Sequence, residues 1–344
     1  MTELTRDAIR SVDPQDMLGV VLEQPAHLTD ALWRVESANA PKTDSPGGLI
    51  VCGMGGSAIG ADLAAAAIGE RAERPIRTVR GYSIGPGVGE HTLVLCSSYS
   101  GNTEETLACY EQAREAGAPR IALTTGGRLA ELAREDGIPV IGVPGGIQPR
   151  AAVAYMTVGS LECAALAGAA PSLTAEVEAA SRLLGQLVDE WGPDSGDDSL
   201  AKSLARTLQR TTPVVYGAGA TGPVARRWKT QVNENAKLPA FWGELPEVDH
   251  NEICGFESAE SFGAVFLDDP SAPERLRRRI ELTAESARSG SAAVELVEGR
   301  GESALERVMS LVLLGDLVSV YLAALDDTDP TPVAPIEDFK RKLA

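Results

Sequence analysis

The chain has 344 residues, 44% of them hydrophobic and 23% charged, and a formal net charge of −18. That length accommodates two domains with separate cores. The negative excess argues against nucleic acid or an anionic membrane as a partner, since binding either relies on Lys and Arg displacing counterions. No apolar run reads as a membrane span, and the acidic first 30 residues, interrupted by Pro14 and Pro25, lack the basic start and apolar core of a signal peptide. A cytoplasmic location is expected.

In chain order, short aliphatic runs at Leu49–Cys52, Ile76–Val79, Leu93–Ser97, Arg120–Leu123 and Pro139–Val143 alternate with helix-length segments such as Ala61–Gly69 and Thr103–Gly117. This alternation predicts a parallel sheet with helices on both faces, complete by about Gly146. From Ala151 to about Thr211 alanine, leucine and acidic residues predict a helical bridge. Strand signals resume at Pro213–Tyr216, Phe262–Leu267 and Ala292–Leu296, separated by helices over Gly222–Lys237 and Ala272–Arg288 and closed by a helix over Leu305–Leu325. Residues 1–150 and 151–344 are thus read as two α/β modules, the second including the bridge. Both open alike, with a strand, a glycine-rich turn (Gly53–Gly60; Gly217–Gly222) and a helix, which suggests duplication and one active site shared by related modules.

The run Ser98-Tyr99-Ser100-Gly101-Asn102-Thr103 stands between a strand and a helix. Hydroxyls, turn amides and the positive end of a helix dipole make a cradle for a phosphate monoester. Asn102 and Glu105 also have the spacing of a capping box, which is compatible with anion binding.

Gly217-x-Gly219-x-x-Gly222 fits the dinucleotide fingerprint, and Gly53-x-Gly55-x-x-Ala58 its looser form. Neither has the acidic residue that should end the next strand. Arg80 fits an NADP 2′-phosphate instead, so an NADP-dependent oxidoreductase is the second reading. Cys52, Cys96, Cys109, Cys163 and Cys254 are widely spaced and odd in number, as reduced, mostly buried thiols would be. His27, His91 and His250 show no metal-ligand spacing, so no metal is expected.

Four further residues carry possible chemistry. Glu234 closes a helix where a carboxylate opposes the dipole, and is either paired with Lys237 or held there for a purpose. His250, in a polar loop, is a solvated residue or a proton shuttle. Arg150 tethers a loop or stabilises an oxyanion. Lys340 is an ordinary helix-end cation or a participant.

Gly53-Met54-Gly55-Gly56-Ser57-Ala58, Ser98 to Thr103, Gln148-Pro149-Arg150, Asn233-Glu234-Asn235-Ala236-Lys237 and His250-Asn251-Glu252 together resemble the bifunctional phosphoglucose/phosphomannose isomerases of the sugar isomerase (SIS) superfamily. The resemblance implies two SIS domains with flavodoxin-like parallel sheets flanked by helices, a homodimer, and cofactor-free interconversion of glucose 6-phosphate or mannose 6-phosphate with fructose 6-phosphate. It implies phosphate binding by Ser57, Ser98, Ser100 and Thr103, with Gly56 also at the substrate. Glu234 would be the base, Arg150 the enediolate stabiliser, and His250 (from the partner subunit) with Lys340 the ring-opening pair. Thr331 is the nearest match to a threonine that helps the family accept both epimers. A non-catalytic phosphosugar sensor is a further alternative, although such proteins usually carry a basic DNA-binding segment.

Overall fold

The computed structural model describes residues 3–343. Helices α1 (Arg6–Arg10), α2 (Met17–Leu22) and α3 (Gln24–Ser37) open the chain. Asp13 satisfies the start of α2, accepting from the Met17 and Leu18 amides at 2.9 and 2.8 Å. Pro25 falls in the first turn of α3, where its missing N–H has no intrahelical partner to lose.

The first sheet follows in strict alternation: β1 (Leu49–Cys52), α4 (Gly55–Ile68), β2 (Ile76–Val79), β3 (Leu93–Ser97), α5 (Glu104–Glu115), β4 (Arg120–Thr124), α6 (Gly127–Glu135) and β5 (Val140–Gly142). Its order is β2-β1-β3-β4-β5, and every pairing is parallel. β1 and β3 are buried along their whole length, which is why Leu-Ile-Val-Cys and Leu-Val-Leu-Cys run apolar without alternation. Helices α7 (Val153–Leu166), α8 (Thr174–Trp191) and α9 (Leu200–Leu208) occupy the expected bridge.

The second sheet comprises β6 (Thr212–Ala218), α10 (Gly222–Gln231), β7 (Phe241–Leu245), β8 (Phe262–Asp268), α11 (Glu274–Ala287) and β9 (Ala293–Glu298). It is followed by α12 (Ala304–Leu325) and α13 (Ala334–Leu343). Its order, β7-β6-β8-β9, is again all parallel and repeats the opening order of the first sheet.

Contacts group the chain into two compact units. One holds the first sheet, with Glu23–Leu184 and Gly301–Met309; the other holds the second sheet, with the described residues up to Leu22, Gly185–Arg300 and those from Ser310 onward.

Three details differ from the sequence expectation. β7 is an additional strand; its Phe241, Trp242 and Glu244 are exposed because it lies at the sheet edge, and Gly243 interrupts its apolar pattern. Gly243 is required there, since a Cβ would come within 2.8 Å of the Tyr216 ring and of Val248. The helix expected over Gly222–Lys237 ends at Gln231 and continues as a π-helical turn over Val232–Ala236. Finally, α12 is long and apolar enough to span a bilayer by length and composition, with a mean hydropathy of 2.1, but 94% of its most apolar window is buried within the protein. It reads as a core helix. Cys52, Cys96, Cys109 and Cys163 are buried free thiols, whereas Cys254 is exposed.

Candidate active site

In an open parallel sheet, ligands bind beyond the C-terminal ends of strands where the strand order reverses. In the first sheet that point lies between β1 and β3. Ser57 stands in the first turn of α4, directly after β1, and its hydroxyl accepts from the Tyr99 amide at 3.2 Å. Ser98 to Thr103 follow β3. The Ser98 and Thr103 hydroxyls are 2.8 Å apart, the Gly101 amide donates to the Ser98 hydroxyl at 3.1 Å, and the Asn102 amide to that of Ser100 at 3.2 Å. The structure therefore brings Ser57, Ser98, Ser100 and Thr103 to one switch point.

The loop is held from behind. Gly101 has φ +69, and a Cβ there would lie 1.8 Å from the Gly126 carbonyl oxygen. Tyr99 donates from its hydroxyl to the Pro144 carbonyl at 3.1 Å and accepts from the Ile147 amide at 3.2 Å. The capping-box reading is corrected: the N-cap of α5 is Thr103, no side chain caps that end, and the Asn102 side chain accepts from the Arg128 amide at 3.0 Å. The first-turn amides of α5 thus retain their capacity for an anion.

Arg150, in the short 3-10 turn Pro149–Ala152, is buried and donates to the Gln148 side chain at 3.5 Å. The chain closes on α4 here, because a Cβ on Gly56 would come 2.8 Å from the Pro149 carbonyl oxygen and 3.3 Å from the Arg150 Cα. Gly56 thus lets the Arg150 turn approach the first turn of α4.

In the unit of the second sheet, Glu234 is partly exposed at the centre of the π-turn. Such turns are rare and concentrate at functional sites. The platform below it is fixed. Arg227 and Asp316, both almost wholly buried, form a double hydrogen bond at 3.1 and 2.6 Å. The Trp228 indole donates to the Leu311 carbonyl at 2.8 Å and lies against Gly315, where a Cβ would come 2.2 Å from its nitrogen. Asn235 donates to the Ser319 hydroxyl at 2.8 Å, and Asn233 to the Leu238 carbonyl at 2.8 Å. Both neighbours of Glu234 are thereby anchored.

Lys237 ends this turn in the left-handed conformation, with φ 60, and its ammonium donates to the Glu234 carbonyl and, at 2.9 Å, to the Pro330 carbonyl. Thr331 follows, buried, its amide donating to Asp329 at 2.9 Å. Glu234 and the Thr331 segment are thus joined through Lys237, which sequence reasoning weighed only as an ion-pair partner. A lysine directly after Asn-Glu-Asn-Ala, at a helix end where glycine is usual, was the available signal.

His250 lies exposed at the end of the 3-10 turn Glu247–His250. That turn is tied to α11 by Asp249, which accepts from Arg279 at 2.9 Å and Thr283 at 2.6 Å. Lys340 is exposed on α13. The NADP reading loses support, because the Arg80 guanidinium is engaged with both carboxylate oxygens of Asp62. The second glycine turn is also unsuited to phosphate. A Cβ on Gly222, at the start of α10, would come 2.9 Å from the Glu244 carboxylate, whose pKa burial pushes upward. The buried Asp268 ends β8 and the buried Asp269 follows it, where the chain after β3 carries hydroxyls.

Two parallel sheets, with hydroxyls at the switch point of the first, define an SIS-type phosphosugar fold. The tagatose-6-phosphate ketose/aldose isomerase of Escherichia coli superposes with a TM-score of 0.71 at 16% identity, covering 92% of this chain and 95% of that one. Residues 197–343 match the family described as bacterial phospho-glucose isomerase C-terminal SIS domain. The chain is 38% identical over 302 residues to the bifunctional phosphoglucose/phosphomannose isomerase of Caldicellulosiruptor bescii, covering 86% of this chain and 89% of the relative. It is 35% identical over 300 residues to that of Aquifex aeolicus, covering 86% and 90%. The chain belongs to the bifunctional phosphoglucose/phosphomannose isomerase family and is a phosphosugar isomerase.

Proposed function

We propose that this enzyme interconverts glucose 6-phosphate and mannose 6-phosphate with fructose 6-phosphate through a cis-enediolate. The observation that carries this reading is the hydroxyl loop Ser98–Thr103 at the β1/β3 switch point, beneath a helix end that no side chain caps. Ser57, Ser98, Ser100 and Thr103 hold the phosphate, the group common to all three sugars, and Gly56 lies beside it. Phosphate is remote from the reacting carbons, so its binding energy serves to orient the sugar.

Glu234 is the base that moves one proton between C1 and C2, and its partly exposed position between two anchored asparagines suits a base that must meet substrate. Arg150 supplies positive charge to the enediolate oxygens. His250 and Lys340 open the ring by moving protons at the ring oxygen and the anomeric hydroxyl. Thr331 contributes to acceptance of both C2 epimers. The enzyme acts as a homodimer in which His250 serves the partner's site; its exposure on a turn braced by Asp249 is compatible with that.

The test is turnover of a panel of hexose and pentose phosphates by the wild type and Glu234→Gln. Conversion of fructose 6-phosphate to both aldose 6-phosphates by the wild type, and its loss in a folded, substrate-binding variant, are expected. Full turnover by Glu234→Gln removes it from the role of base, and exclusive activity on another phosphosugar overturns the substrate assignment.

A further inference from the structure

Lys237 occupies a backbone conformation that ordinary residues avoid. At φ 60 and ψ 21, closing the π-turn, glycine would be favoured, since an L side chain there meets its own carbonyl. The side chain held in this position has two contacts that glycine cannot make. Its ammonium donates to the carbonyl of Glu234, three residues back, and to that of Pro330, which lies 93 residues away in sequence. Both carbonyls belong to irregular backbone: the first to a five-residue π-turn, the second to the Asp329-Pro330-Thr331-Pro332 connection between α12 and α13.

Other ties brace the two sides of that junction. Arg227, Trp228 and Asn235 fasten the Glu234 helix to residues 311, 316 and 319 of α12. Asn233 fastens the turn to Leu238 within its own loop. The Asp329 side chain accepts from the Thr331 amide within the same connection. Lys237 links the peptide that carries Glu234 to the segment that leads to Thr331.

We propose that Lys237 is a positioning residue for the isomerisation. It sets the Glu234 carboxylate relative to the Thr331 segment, so that the base reaches both carbons of the substrate. This rests on the assignment of Glu234 as base. Phosphate binding at Ser57 and the Ser98–Thr103 loop is expected to persist when Lys237 is lost. Misplacement of a reacting group by about 1 Å costs rate by about 100-fold, and does so without an equal loss of binding.

The decisive variant is Lys237→Gly, which removes the ammonium while relieving the left-handed backbone, so part of the stability lost with its two hydrogen bonds is offset and the variant is expected to fold. With fructose 6-phosphate as substrate, its kcat is expected to fall at least about tenfold with KM within about threefold. Lys237→Arg, which can still reach both carbonyls, is expected to recover most of the loss. A kcat for Lys237→Gly within about twofold of the wild type overturns the proposal. So does an equal fall in Lys237→Arg and Lys237→Gly. Should the glycine variant not fold, Lys237→Gln is measured in its place under the same criteria. Glu234→Gln separates the two readings: activity retained there refutes the base, whereas an inactive Glu234→Gln beside a fully active Lys237→Gly refutes Lys237 alone.

Discussion

The Ser98 hydroxyl lies 2.8 Å from the Thr103 hydroxyl, joining the residue after β3 to the N-cap of α5. Each is a partner the other would exchange for a phosphate oxygen. Replacing both with Ala removes two hydroxyls that a dianion would recruit, and hydrogen bonds to charged groups contribute about 1.5–3 kcal/mol each. The KM for fructose 6-phosphate is expected to rise by more than about tenfold in steady-state assays, with a smaller change in kcat. An unchanged KM would place the phosphate elsewhere.

Gly101 and Gly117 allow a matched comparison. Both have positive φ, +69 and +68, but a Cβ on Gly101 would strike the Gly126 carbonyl oxygen at 1.8 Å, whereas a Cβ on Gly117 would meet nothing within 4 Å. Gly117→Ala should lose about 1 kcal/mol of stability and keep its KM. Gly101→Ala must displace the hydroxyl loop, so both a lower unfolding midpoint and weaker substrate binding are expected. Equal KM values for the two variants would sever the loop from substrate binding.

The Arg227–Asp316 pair is 1% exposed on each side. Asp316→Ala removes the carboxylate that a buried guanidinium pairs with and is expected to cost about 3–5 kcal/mol in denaturant unfolding. Replacing both residues, as Arg227→Met with Asp316→Leu, should restore much of that stability, because the desolvation cost of both charges is then also removed.

Burial pushes the His27 imidazole below its ordinary value of 6.5, against the opposing influence of Glu23 and Asp30. Between the lowered folded value and 6.5 the unfolded chain binds more protons than the folded one, so stability rises with pH and is lost as pH falls below about 6.5. The thermal midpoint should therefore drop between pH 7.5 and 5.5, and His27→Gln should flatten that slope. An unaltered slope in the variant would assign the pH dependence to other groups.

If His250 serves the partner's site, mixing Glu234→Gln and His250→Ala homodimers under subunit exchange should restore activity, since one site of each mixed dimer then combines intact copies of both residues. Absence of rescue despite exchange proven by mass would put both residues in one chain's site.

Most of the fold was legible because parallel strands buried on both faces must be continuously apolar. Leu49–Cys52 and Leu93–Ser97 are bounded in the structure as their runs predict. Phe241–Leu245 was missed because an edge strand needs neither burial nor alternation. The hydroxyl loop was legible too, as hydroxyls, glycine and a helix start occur together within six residues. The sequence by itself thus determined the α/β class and the hydroxyl-rich turn between β3 and α5, since these follow from local patterns and residue types.

The tertiary structure decided the rest. Strand order placed Ser57 beside Ser98, 41 residues further on, because β1 pairs directly with β3 while β2, between them in sequence, lies on the other side of β1. It turned Asn102 from a helix cap into a brace for the Arg128 amide. It also brought Pro330 to Lys237, a contact that no periodicity encodes, because it depends on how α10 and α12 pack before the chain returns.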